Sequence, residues 1–242
     1  MNILILHIPK TGGNSLQNYF SNLENFNSYS IGHDINNLKV GGSIKLFKNS
    51  KFIKNEIITS LDNFFKITII RNPFDQMVSY YHFELDTINK MIKLYEIADM
   101  KYKKSLNNLS FNERKKIFIS VFTDWQSTDS KINKKTMYDI KFYKDKLKMY
   151  NNFNKWLINN LETHYFDFTK FTDNSDFIIK YENLENDINL LKKKLNITSG
   201  ISYPWLIKSN RSRNYKNYYD DNSIKLIQSK FSKVLNTFNY NC

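Results

Sequence analysis

The chain has 242 residues, of which 41% are hydrophobic and 16% aromatic, and its formal net charge is +13. This composition is typical of a globular protein with a proper core and excludes an intrinsically disordered chain. The large positive excess indicates an anionic partner. Cys242 is the only cysteine, which excludes an intrachain disulfide framework and a cysteine-based metal site.

The sequence shows no signal peptide and no membrane anchor. Its start has no basic region followed by an apolar segment, and no apolar run is long enough to cross a bilayer. We therefore expect a cytoplasmic protein. The heavy use of asparagine and lysine fits an AT-rich genome.

The first fifteen residues have a strand–loop–helix pattern. The apolar, partly β-branched residues 3–6 predict a buried parallel strand. Residues 7–15 (HIPKTGGNS) predict a glycine loop, and the apolar spacing from Leu16 to Leu23 predicts a helix. The glycines let the backbone turn so that its N–H groups point into one concavity, to which the helix adds its own amides and its dipole. Such a loop suits an anion of phosphate or sulfate shape.

The candidate anion-binding residues of this loop supply one charged amine, side-chain donors and backbone amides. They are Lys10, Thr11, Gly12, Gly13, Asn14 and Ser15. The order differs from a Walker A motif, in which the lysine follows the glycines. By itself the segment also fits an ordinary turn between a strand and a helix. His7, just before the loop, is expected only to brace it.

A second strand and helix follow at residues 66–81. Residues 66–70 predict a buried strand, Asn72 a helix N-cap, and Pro73 the first helical residue. Arg71 then stands at the carboxyl edge of the sheet, where open α/β sheets bind ligands, and its forked charge suits a phosphate. Ser79 lies two turns along the helix, and helical geometry predicts that its hydroxyl faces the same crevice.

The rest of the chain alternates between strand and helix patterns. The helical stretches are predicted at residues 72–102, 110–122, 137–161, 187–195 and 220–235, with a further strand at 177–181. This alternation predicts an α/β fold with a central parallel sheet flanked by helices, in a single domain over residues 1–242. The lysine-rich residues from about 86 to 173 form a helical insertion, for which acceptor binding, a lid and a solvated cap all stay open.

Together these motifs resemble the sulfotransferase family, in particular the branch of carbohydrate O-sulfotransferases that act on heparan and chondroitin chains. The resemblance is carried by HIPKTGG at residues 7–13, RNPF at 71–74 and SYY at 79–81. It continues at residues 176–184 and 208–221. Motifs at both ends of the chain and in the same order are more specific than any one of them.

The resemblance implies a P-loop-like three-layer fold and an enzyme that uses 3′-phosphoadenosine 5′-phosphosulfate (PAPS) as donor. It implies that residues 10–15 hold the 5′-phosphosulfate and that Arg71 and Ser79 hold the 3′-phosphate. The late loop would close over the nucleotide through Arg211 or Arg213, of which we favour Arg211. The product would be 3′-phosphoadenosine 5′-phosphate (PAP). Animal carbohydrate sulfotransferases usually have a Golgi anchor, so by the resemblance we expect a microbial or viral setting. No metal is expected, because the sequence has no His/Cys cluster at ligand spacing.

Sulfuryl transfer requires that donor and acceptor be held in line and that charge on the leaving phosphate be stabilised. By the resemblance, Lys10 is the predicted catalytic cation. His33 is the predicted general base for the acceptor hydroxyl, since family members place a catalytic His or Glu in this part of the chain. His82 and Glu84 are the alternatives, on the helix that carries Ser79.

Two other function classes stay open. A P-loop-like nucleotide kinase or NTPase would use a similar loop, although the lysine precedes the glycines and no acid is placed to hold Mg²⁺. A catalytically inactive basic protein could bind nucleotide or nucleic acid. For the sulfotransferase we expect a glycan or another hydroxyl-bearing acceptor, for which a polyanion fits the charge, and no nucleic acid partner.

Overall fold

The structure is a computed structural model that describes residues 1–31, 43–48, 51–57, 62–102, 109–110, 112–113, 140–165, 167–204, 211–212 and 214–242. His33, Arg213 and most of the helix predicted at 110–122 lie outside these residues. The contacts divide the chain into two compact units, one made of Met1–Tyr80 with Leu161–Cys242 and the other of Tyr81–Asn160. That the whole chain is a single domain stays a prediction.

Six strands form one sheet in the order β4-β3-β2-β1-β5-β6. They are β1 (Asn2–Leu6), β2 (Asn27–Ile31), β3 (Ser43–Lys48), β4 (Lys51–Ile57), β5 (Phe65–Ile70) and β6 (Phe177–Lys180). Strands β2, β1, β5 and β6 are parallel to one another, whereas β3 and β4 pair in antiparallel fashion. The predicted α/β fold with a central parallel sheet is therefore confirmed.

The antiparallel pair β3–β4 was missed by the sequence analysis. The two strands pair from Ser43 with Ile57 to Lys48 with Lys51, which leaves a two-residue connection. Apolar and lysine residues partly alternate along this segment, and such alternation beside a short turn is a hairpin signal. The hairpin extends the parallel sheet at the β2 side.

Eight helices are described. They are α1 (Gly13–Ser21), α2 (Pro73–Tyr102), α3 (Ile140–Met149), α4 (Phe153–His164), α5 (Thr169–Thr172), α6 (Leu184–Lys194), α7 (Asp221–Lys230) and α8 (Ser232–Phe238). Short 3-10 helices lie at Tyr181–Asn183 and Tyr215–Tyr218. Within the described ranges, every helix is too short or too polar to span a lipid bilayer.

Two helical patterns that the sequence analysis treated as continuous are divided in the structure. The pattern at 137–161 gives α3 and α4, because the Asn152 side chain accepts a hydrogen bond from the Lys155 N–H at 3.0 Å and starts a new helix. The pattern at 220–235 gives α7 and α8, which separate at Phe231. Apolar spacing continues through both breaks, so periodicity alone does not reveal them.

The core of the first unit lies between the sheet and two helices. Odd-numbered residues of β1, β5 and β6 face α1 and α6. The buried cluster comprises Ile3, Ile5, Leu16, Tyr19, Phe20, Leu23, Ile67, Ile69, Ile179, Leu184, Ile188 and Leu191. Leu4 and Leu6, which alternate with these residues along β1, are also fully buried. The sheet is thus covered on both faces, as parallel sheets require.

The strand order determines where loops can converge. From β1 the chain passes through α1 to β2 on one side of β1, whereas β5 pairs with β1 on its other side. The order therefore reverses between β1 and β5, and open α/β sheets bind ligands at the carboxyl ends of the strands at such a point. The loops after β1 and β5 are the two motifs predicted to bind anions.

Two adjacent leucines of α6 provide a test of this core. Leu191 is 1% exposed in the buried cluster, whereas Leu190 is 55% exposed. We expect Leu191→Ala to lower the free energy of unfolding by about 2–5 kcal/mol, because it leaves a cavity. Leu190→Ala, the same change in the same helix, should cost less than about 0.5 kcal/mol. Urea denaturation measures both, and equal losses would contradict the packing of α6 on the sheet.

Candidate functional site

The loop between β1 and α1 has an unusual backbone. Lys10 has φ 65° and Gly12 has φ 100°, both in the left-handed region. Glycine adopts this region without cost, but a lysine does not, so the surrounding contacts must hold Lys10 in place. Inside the loop, the buried Thr11 hydroxyl donates to the Ile8 carbonyl at 2.8 Å. The loop is therefore ordered by its own contacts and by those of the scaffold.

Three side chains from outside this loop donate hydrogen bonds to its carbonyl groups. The Gln76 Nε2 donates to Pro9 O at 2.7 Å, the Arg71 Nη1 to Lys10 O at 2.9 Å, and the Tyr203 hydroxyl to Gly12 O at 3.3 Å. In a trans peptide the following N–H points the opposite way from the carbonyl. The N–H groups of Lys10, Thr11 and Gly13 are thus directed away from these three side chains, and such an orientation of backbone amides suits the binding of an anion.

The first turn of α1 adds to this arrangement. Gly12 is the N-cap residue of α1. Among the described residues, no side chain accepts a capping hydrogen bond from the first turn of this helix. The first amides of a helix lack intrahelical acceptors, and together with the helix dipole they favour a negative charge. Asn14 is exposed at this helix start, and Ser15 is half-buried and hydrogen-bonded to Tyr203.

His7 packs directly against the start of α1. A Cβ atom added at Gly13 would lie 2.6 Å from His7 Cδ2, closer than real Cβ contacts allow. The ring thus uses the space that any side chain at position 13 would need. Gly12 differs, since a Cβ atom added there would have its nearest neighbours 3.8 Å away on Tyr181, and only its φ angle requires glycine.

The guanidinium of Arg71 is buried and bound on several sides. Its Nε donates to Asp75 Oδ2 at 2.7 Å, and its Nη2 forms an ion pair with the same oxygen at 2.5 Å. Its Nη1 donates to the Lys10 carbonyl. The Tyr181 ring lies under it, with the ring centre 4.1 Å from Arg71 Cζ. A guanidinium has further N–H donors beyond these bonds. Arg71 can therefore support the loop and still offer donors to a ligand.

Asp75 joins Arg71 to the late arginine Arg211. Its Oδ1 accepts from Arg211 Nη2 at 2.6 Å, while its Oδ2 accepts from Arg71. The side chains of Arg71, Asp75 and Arg211 are only 6%, 12% and 9% exposed. Asp75 is not among the residues predicted for the site. The available signal was its position four residues after Arg71 in the first turn of a helix, where an acid pairs with a preceding arginine.

Asn72, at the start of α2, forms hydrogen bonds with residues near the end of the chain. It is the predicted N-cap, and its Oδ1 accepts from the Phe74 N–H at 3.0 Å. Its Nδ2 donates to the Tyr215 hydroxyl at 3.1 Å and to the Asn241 carbonyl at 2.8 Å. Its backbone N–H donates to Glu182 Oε1 at 2.6 Å. Segments distant in sequence thus meet at one residue.

Tyrosine hydroxyls complete this region. The Tyr219 hydroxyl donates to Phe74 O at 2.7 Å, and the Tyr240 hydroxyl donates to Glu182 Oε2 at 2.9 Å. Burial raises the pKa of both tyrosines well above the usual range, and the Glu182 carboxylate raises that of Tyr240 further. Both groups therefore stay neutral donors at physiological pH.

The structure brings most predicted site residues together and leaves others apart. Lys10 and the rest of the loop, Arg71 and Arg211 are linked by the bonds described above. Ser79 is buried on α2, two turns after Arg71. His33 lies outside the described residues. The described residues contain no cluster of three or more His, Cys, Asp or Glu side chains that could hold a metal ion.

The two alternative bases belong to the second compact unit. The Glu84 carboxylate accepts from Trp156 Nε1 at 2.9 Å, and Trp156 is buried in an aromatic cluster with Tyr81 and Phe153. The pKa of Tyr150 is raised by its burial and by the Glu84 charge. These contacts favour a structural role for Glu84 within its unit. His82 is half-buried on α2 beside Tyr81.

The contact between His7 and Gly13 can be tested by compensation. We expect Gly13→Ala to lower the free energy of unfolding by about 1–3 kcal/mol, because the new methyl group overlaps the His7 ring. In the double variant with His7→Ala, this loss should largely disappear relative to His7→Ala alone. Gly12→Ala is the control, since its strain comes from φ and His7→Ala should not relieve it. Thermal and urea denaturation distinguish these outcomes, and strictly additive losses would disprove the overlap.

The comparisons with known proteins agree with the sequence resemblance. A family model described as "Sulfotransferase family" matches residues 1–241. No curated protein and no solved structure matches the chain. The family match runs over nearly the whole chain and includes both compact units, the β1–α1 loop and the β5–α2 motif. The chain therefore belongs to the sulfotransferase family.

Proposed function

We propose that this sulfotransferase uses PAPS as donor and transfers its sulfuryl group in line to a carbohydrate hydroxyl. The observation that carries the proposal is the bond from Arg71 to the Lys10 carbonyl, which joins two anion-binding features at the edge between β1 and β5. PAPS has two anionic groups, the 5′-phosphosulfate and the 3′-phosphate. A pair of linked anion sites fits such a donor better than it fits a ligand with a single phosphate group.

In this proposal the β1–α1 loop holds the 5′-phosphosulfate. Thr11, Gly12, Gly13, Asn14 and Ser15 line this site with their backbone amides, and the exposed Asn14 adds a side-chain donor. Support comes from the hydrogen bonds that Gln76, Arg71 and Tyr203 donate to loop carbonyls, because the N–H group that follows each of these carbonyls then points away from the donating side chain. Lys10 stabilises the charge that grows on the bridging oxygen as the sulfur–oxygen bond breaks. No proton transfer to this oxygen is needed, because the leaving phosphate is a stable anion.

The 3′-phosphate is bound by Arg71 and Ser79 from α2 and by Arg211 from the late segment. In support of this, Arg71 and Arg211 carry two positive charges against the one negative charge of Asp75. The excess charge is compensated when a phosphate binds. Burial strengthens this attraction, since screening by water is weak there.

The acceptor is a hydroxyl-bearing glycan, and His33 removes its proton, with His82 and Glu84 as the alternatives. The net charge of +13 supports a polyanionic glycan, because a positive surface raises the local concentration of such a substrate. The protein has only to hold the acceptor oxygen in line with the sulfur and accept its proton, much as in phosphoryl transfer.

Nucleotide selectivity tests the donor assignment. We expect PAP to bind at least about tenfold more tightly than ADP, without a metal requirement, because a buried phosphate contact with arginine is worth that much. Isothermal calorimetry with PAP, ADP and ATP, each with and without Mg²⁺, measures this preference. Preference for ATP with Mg²⁺ would instead support a nucleotide kinase or NTPase.

Removal of the Lys10 amine tests its catalytic role. We expect Lys10→Ala to lower turnover by about 100-fold to 1,000-fold, with a smaller change in PAP affinity, because the charge acts mainly in the transition state. Transfer from radiolabelled PAPS to a panel of unsulfated glycans measures turnover. Lys148→Ala is the control, since that lysine is 81% exposed on α3. Turnover of a folded Lys10→Ala protein at the wild-type rate would exclude the role.

A further inference from the structure

Asp75 is shared between two arginines that come from distant parts of the chain. One oxygen accepts from Arg71 at the end of β5, and the other accepts from Arg211, which lies 136 residues after Asp75 in the sequence. Each oxygen therefore serves a different arginine, although the Arg71 fork by itself matches a whole carboxylate. The carboxylate thus lies between the two guanidinium groups and sets the distance between them.

The three side chains are nearly inaccessible to solvent, so water cannot compensate their charges. Two buried guanidinium groups carry the same charge and repel each other. With Asp75 between them the repulsion is compensated. Without it, Arg211 would have to turn toward water, because Arg71 is also held by the Lys10 carbonyl and the Tyr181 ring. Asp75 thus keeps Arg211 in the site before any ligand arrives.

We propose that Asp75 is a positioning residue that sets the two arginines for the 3′-phosphate and so determines selectivity for a 3′-phosphorylated nucleotide. This inference rests on the proposed function. Asp75 does not contact the reacting sulfur in this scheme, and it acts through Arg71 and Arg211. Fixing a long arginine side chain in advance spares the entropy that its ordering would cost on binding.

Two substitutions separate geometry from charge. Asp75→Glu keeps the negative charge but moves the carboxylate by one methylene group, whereas Asp75→Asn keeps the shape and removes the charge. Calorimetry measures the affinity of each protein for PAP and for 5′-AMP, which lacks the 3′-phosphate. The ratio of the two affinities reports the 3′-phosphate contact alone. Asp145→Asn is the control, since it removes one negative charge from an exposed pair with Lys148.

We expect both Asp75 variants to lower the preference for PAP over 5′-AMP by about tenfold, with 5′-AMP affinity nearly unchanged. Asp145→Asn should retain the wild-type preference. Combining Asp75→Asn with Arg211→Gln should add little to either single loss, because both remove the same preset arginine. If Asp75→Asn does not fold, Asp75→Glu and Arg211→Gln still give the comparison.

Three results would overturn the inference. Tighter PAP binding by Asp75→Asn would mean that the carboxylate competes with the phosphate. Lower thermal stability with an unchanged PAP preference would mean that Asp75 only stabilises the fold. A wild-type protein without preference for PAP over 5′-AMP would refute the donor assignment itself, a failure that is visible before any variant is compared.

Discussion

Arg71 carries a permanent charge into a place with little water, and its contacts follow from the need to compensate that charge. A buried cation is tolerated only when its hydrogen bonds are satisfied and an opposite charge lies close. Asp75 supplies the charge, the Lys10 carbonyl accepts a bond, and the Tyr181 ring covers one face. In this way one side chain connects the β1–α1 loop, the first turn of α2 and the turn after β6.

The sheet explains why these segments meet. Strands β1 and β5 are adjacent and parallel, with Ile5 opposite Ile67, so the loops that follow them leave at the same edge. Strand β6 pairs beside β5 and brings Tyr181 to that edge. The strands supply a rigid base, and the loops supply polar groups whose positions the base determines. Sulfuryl transfer suits such a site, because it depends on alignment and charge more than on covalent chemistry.

The second compact unit has a different character. Its described part is built around an aromatic cluster, in which a single carboxylate, that of Glu84, accepts from the indole of Trp156. An indole N–H inside a core needs an acceptor, and a carboxylate that meets this need has a structural reason to be there. The family match includes this unit although its sequence shows little of the family's motifs. Aromatic packing can be preserved by many sequences, whereas the polar loops of the first unit depend on particular side chains.

The sequence by itself determined the alternation of strands and helices that is typical of a parallel α/β fold, the glycine loop, the Asn72 N-cap and the motifs of the sulfotransferase family. Each of these patterns consists of residues that are neighbours in the chain. Gly12 and Asn72 act through their own backbone or through groups two residues away. Only the tertiary structure decided that Asp75 binds Arg211 and that Gln76 binds Pro9, over 136 and 67 residues. Many acids could pair with a given arginine in a chain of this charge. The strand order and the burial of side chains select one acid among these, and local sequence patterns contain no information on strand order or burial.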